Sequence, residues 1–126
     1  MVNILKHIEY WRSGAEDALD TAERLVSQGK HYHGLFFAHL ALEKLLKAHI
    51  CKSTGDLAPM LHSLPRLAEL TGTEINEDFL RILAKINEFN IAGRYPALLD
   101  LPPSSEDADR YRNEAREVFQ WLMSRL

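Results

Sequence analysis

The sequence predicts an all-α protein, an up-and-down bundle of four long helices and one short one, and three observations carry that expectation. Twenty leucines and thirteen alanines stand against three valines, a balance that favours straight-chain helix formers over the β-branched residues of sheets. Apolar residues recur at alternating steps of three and four over four long stretches. Gly29, Gly55, Gly72 and Gly93, with Pro59, Pro96, Pro102 and Pro103, fall between those stretches.

The elements follow in chain order. Ile4, Ile8, Trp11, Ala15, Ala18, Ala22 and Leu25 form one stripe, so a first helix is expected from about Asn3 to Gln28, closed by Gly29 in a left-handed conformation. From His31 to Lys52, Leu35, Phe36, Phe37, Leu40, Leu42, Leu45, Leu46 and Ile50 cover most of the helical circumference, which places this helix at the centre. Ser53 to Pro59 reads as a loop. Leu61, Leu64, Leu67, Ala68 and Leu70 predict a short third helix with Pro65 in its first turn and Gly72 at its end. Ile75, Phe79, Ile82, Leu83, Ile86 and Phe89 predict a fourth, followed by a long loop from Asn90 to Pro103. Ser104 and Asp107 form a capping pattern for a last helix that carries Ala108, Tyr111, Ala115, Val118 and Leu122 to the C-terminus.

A chain of 126 residues fits a single domain spanning 1–126. Its formal charge of −3 provides no global positive field for nucleic acid, so any such contact is local. The lone Cys51 closes no intrachain disulfide, which favours a reducing, cytoplasmic setting. The richest apolar run, Leu35 to Leu42, is too short to span a membrane. Scattered glycines rule out a phosphate-cradling glycine loop, and neither a nucleophile elbow nor a His-Glu-x-x-His helix occurs. His31 and His33 fall short of a metal shell, so no metal and no cofactor is expected.

Chemistry concentrates in two places. His39, Glu43, Lys44 and Lys47 lie at about 0°, 40°, 140° and 80° around the central helix and share one face. Either this is a solvated stripe with weak helical ion pairs, or it is a groove in which Lys44 or Lys47 meets phosphate. Arg94-Tyr95-Pro96 pairs a guanidinium with a ring held extended by the following proline. It either clamps phosphate and stacks a base, or packs over the bundle end while Arg94 caps helix carbonyls.

Taken together, these residues resemble the HEPN domain, the higher eukaryotes and prokaryotes nucleotide-binding family. The likeness rests on Trp11, Ala15 and Asp17, then Tyr32, then the run from Phe36 to Ala48, in which Ala41, Glu43, Lys44 and Lys47 match the family's Ala-x-Glu-Lys-x-x-Lys core. His62-Ser63-Leu64, Arg94-Tyr95-Pro96, Ala108, Ala115 and Trp121 continue it in order along nearly the whole chain. The resemblance implies a helical homodimer that partners a minimal nucleotidyltransferase in a toxin–antitoxin-like pair. It also implies a nucleotide or RNA end as ligand, held by His39, Glu43, Lys44, Lys47, Arg94 and Tyr95. Many relatives are metal-independent ribonucleases with an Arg, four to six residues and a His late in the bundle. Here positions Leu99, Asp100 and Leu101 follow Arg94 at that spacing, and no His lies beyond His62. Binding without nuclease activity is therefore the first expectation. The alternatives are a ribonuclease using an atypical His39 or His62, or a structural dimerisation module. A homodimer is also expected from the central helix, whose apolar residues face more sides than one neighbour covers.

Overall fold

The computed structural model describes residues 3–92 and 103–126, and among these it contains six helical segments and no strand. They are α1 (Ile4–Ser27), α2 (His31–Thr54), α3 (Leu64–Leu70), α4 (Glu77–Asn87), α5 (Phe89–Ala92) and α6 (Ser105–Arg125). Arg94 and Tyr95, with most of the expected Asn90–Pro103 loop, lie outside the described residues.

Helix ends fall where side chains satisfy the orphan N–H groups. Asn3, Ser63, Asn76 and Ser104 each accept a hydrogen bond from the backbone N–H three residues on. Ser104 thus caps α6 through Asp107, as the pattern predicts. Helix α2 runs two residues beyond Lys52 and stops at Gly55, whose φ of 68° is the left-handed cap. Helix α3 begins at Leu64 rather than Leu61, because Ser63 rather than an earlier residue provides the cap.

One expectation needs correction. The fourth helix does not run unbroken to Phe89, and Asn90–Ala92 is not loop: the ladder breaks at Glu88 and a four-residue turn, α5, follows. At the break the Glu88 N–H bonds Lys85 at 3.2 Å, a tighter closure than the α-helical register.

Helix α2 is the central rod and packs against each of the other five helices. Phe37 and Leu40 on it nevertheless stay only partly buried within the chain. Helix α1 lies antiparallel to it across small residues, Ala15, Ala18 and Ala22 facing Gly34, Ala38 and Ala41 in the buried core. The approach is tight at Gly34, where a β-carbon would sit 2.5 Å from Val26 Cγ2 and 2.9 Å from Val26 N. That contact brings Val26, not the predicted Leu25, into the core. The remaining core is the leucine-rich interior shared by α2, α3, α4 and α6.

Candidate functional site

Four-residue spacing stacks His39, Glu43 and Lys47 on one stripe of α2. All three are buried, at 1%, 5% and 5% exposure, so the stripe is not a solvated face. Glu43 is the hub. Lys47 Nζ donates to its Oε2 at 3.1 Å, and His39 Nδ1 stands 3.8 Å from Oε1. From the segment ahead of α3, His62 brings Nδ1 to 3.2 Å from both carboxylate oxygens, while its own side chain remains 64% exposed.

Two further elements close the cluster. Trp11 on α1 covers Lys47, whose ammonium lies 5.2 Å from the ring centroid. Asn87, the last residue of α4, places Oδ1 3.3 Å from His39 Nε2 and accepts the Leu64 N–H at 2.9 Å. Burial pushes the His39 pKa below the ordinary histidine value, against the opposing pull of the Glu43 carboxylate, the Asn87 bond and the His62 backbone. The arrangement can therefore hold a negative charge on Glu43 between donors, present the exposed ring of His62 to a ligand, and keep His39 neutral behind it.

Of the residues expected at the site, His39, Glu43 and Lys47 come together. Lys44 does not: one residue past Glu43 it turns about 100° away. It lies in a separate recess of about 160 Å³ with Gly14, Asp17, Thr21 and Leu40. Sharing a face by helical angle alone fails here because α2 is enclosed on nearly all sides, so a step of one residue changes the neighbour. Sequence reasoning names His62 only as an alternative catalytic histidine and leaves Trp11 and Asn87 out of the site. The first two carry a signal, since His62 directly precedes a capped helix start and Trp11 sits on the apolar stripe of α1. Asn87 has none, because its role depends on where α4 breaks. Among the described residues no group of three His, Cys, Asp or Glu side chains is placed to hold a metal ion, and no helix is long and apolar enough to cross a membrane.

The fold has solved counterparts. A Thermus thermophilus protein, TT1696, superposes with a TM-score of 0.81 at 20% identity, over 94% of this chain and 98% of its own. ST0689, described as an archaeal HEPN homologue, superposes with a TM-score of 0.72 at 24% identity, over 94% of this chain and 96% of its own. No curated protein matches the sequence. The model of the HEPN domain matches residues 8–126, which takes in α1 from Ile8 onward, the five helices after it and every residue of the Glu43 cluster. With the fold and nearly the whole length accounted for in this way, the chain belongs to the HEPN domain family.

Proposed function

We propose that this chain binds a nucleotide or an RNA end, acts as a homodimer beside a minimal nucleotidyltransferase in a toxin–antitoxin-like pair, and does so without cutting RNA. The observation that carries the reading is the convergence of Lys47, His39 and His62 on the buried carboxylate of Glu43. In this scheme His62 offers its exposed ring to a phosphate oxygen or a ribose hydroxyl, and Glu43 fixes the direction of that ring. Lys47 offsets the Glu43 charge beneath Trp11. Lys44, Arg94 and Tyr95 extend the phosphate and base contacts. The test is fluorescence anisotropy of labelled RNA oligonucleotides and nucleotides, with the chain alone and with the product of its adjacent reading frame. Binding that His62→Ala weakens by about tenfold supports the reading, on the scale of one charge-assisted hydrogen bond. No binding at millimolar ligand in either setting overturns it.

A second reading, a metal-independent ribonuclease with an atypical histidine, is favoured by one observation. Glu43 accepts a hydrogen bond from His62 Nδ1–H in the tautomer that carries its hydrogen there, which leaves the Nε2 lone pair of a largely exposed side chain free to act as a base. A carboxylate-oriented imidazole is suited to taking the proton of a 2′-hydroxyl. RNA cleavage that survives chelator and disappears in His62→Ala or His39→Ala would replace the binding-only reading, and intact RNA removes the nuclease.

A further inference from the structure

Beside the first two turns of α1 opens a recess of about 460 Å³ lined by Lys6, His7, Tyr10 and Trp11. Its size is that of a small-molecule site. Tyr10 is 65% exposed, and its ring meets Trp11 edge-on, with centroids 5.0 Å apart and planes at 77°. Ion pairs of α1 run through Arg12, Glu23 and Arg24 and do not involve Lys6 or His7. The recess therefore joins two aromatic rings to an ammonium and an imidazole with no carboxylate partner among the described residues. A recess of about 380 Å³ between α4 and α6 makes the contrast. It is lined by Arg81, Lys85 and Arg110, but each of these is already paired to a carboxylate.

Trp11 is shared by the α1 recess and the buried cluster. It lines the recess and carries Lys47 5.2 Å from its ring centroid, Lys47 donates to Glu43 at 3.1 Å, and Glu43 receives His62. Aromatic faces are the sequence-tolerant platform on which unpaired bases stack, and free cations beside them hold the attached phosphate.

We infer that this recess is a nucleobase subsite, in which one unpaired base of single-stranded RNA stacks on Tyr10 with Trp11 set nearly perpendicular beside it, while Lys6 and His7 take its phosphate. The inference rests on the reading of the chain as an RNA-binding protein. Its test uses the full chain carrying Trp121→Phe, which leaves Trp11 as the single tryptophan. The probe is an end-labelled twelve-nucleotide oligoadenylate, followed by anisotropy of the label and by tryptophan emission. Binding should quench Trp11, and Tyr10→Ala should weaken affinity by about tenfold. Lys6→Ala should lower the salt slope by about 0.7. Circular dichroism checks that the Trp121→Phe parent, altered at a partly buried position, and the variants at exposed Lys6 and Tyr10 keep their helices. Oligoadenylate that binds with no change in Trp11 emission, and binds Tyr10→Ala as tightly as the parent, overturns the subsite and leaves the RNA-binding reading standing. Oligoadenylate that fails to bind at all removes the subsite together with that reading.

Discussion

Glu43 and His62 lie nineteen positions apart in the chain, yet the imidazole Nδ1 of one stands 3.2 Å from both carboxylate oxygens of the other. The contact joins a buried acid on the central helix to an exposed ring on the segment that leads into α3. It sets what each partner contributes: Glu43 supplies direction and His62 supplies access.

Removing Glu43 should be costly. Glu43→Ala leaves the Lys47 ammonium buried without its carboxylate, and breaking one side of a buried pair costs about 3–5 kcal/mol. Urea denaturation is expected to show a loss of that order, and Lys47→Met in the same chain should restore much of it. A loss under about 1 kcal/mol would show that water reaches the pair and screens it.

Acid should destabilise the fold through two histidines. Burial holds His39 and His49 below the ordinary histidine value of 6.5, with the His49 Nε2 bound to the Leu122 carbonyl at 2.7 Å. Below 6.5 the unfolded chain takes up protons that the folded one refuses, so this part of the stability is complete above 6.5 and is lost as pH falls toward the depressed folded values. The urea midpoint should fall between pH 7.5 and pH 5.5, and His49→Gln should flatten that slope. An unchanged slope in the variant would show that His49 takes no part in it.

Gly34→Ala tests the close approach of α1 and α2. The new methyl would meet the Val26 side chain and backbone nitrogen, and overpacking of this kind costs about 1–3 kcal/mol. Val26→Ala should relieve only part of it, since the backbone nitrogen at 2.9 Å remains. Thermal melting of the single and double variants decides the point, and a Gly34→Ala chain as stable as the parent would show that the helices separate freely.

Arg94→Ala and Tyr95→Ala should each weaken RNA binding, by about tenfold for a lost stacking or phosphate contact, while leaving the urea midpoint unchanged. A fall in stability with unchanged affinity would assign the pair to packing over the bundle end instead.

Legibility from sequence followed physical locality. Caps at Asn3 and Ser104, the proline in the first turn of α3 and the glycine stop after α1 rest on hydrogen bonds within a few residues, and each is visible in a short window of sequence. The central place of α2 was equally plain, because leucines around a whole circumference leave no side for water. The site was only half visible. His39, Glu43 and Lys47 share a helix and could be grouped by angle. Their contacts with His62, Asn87 and Trp11 depend on how α1, α3 and α4 are placed against α2, and no local rule supplies that. Lys44 lines a different recess for a related reason: angle gives the face but not the neighbour on it.

The two bonds at Asn87 select one tautomer of His39. The atom that accepts the Leu64 N–H must be the amide oxygen, so the His39 Nε2 facing the same atom carries the hydrogen of the neutral imidazole. The opposite nitrogen, Nδ1, lies 3.8 Å from the Glu43 carboxylate, whose charge favours a proton on the ring. His39 is thus a ring whose contacts ask for a second proton while its burial refuses one. A single water molecule admitted beside it would shift that contest, which makes the tautomer of His39 an internal gauge of how tightly α2, α3 and α4 are drawn together.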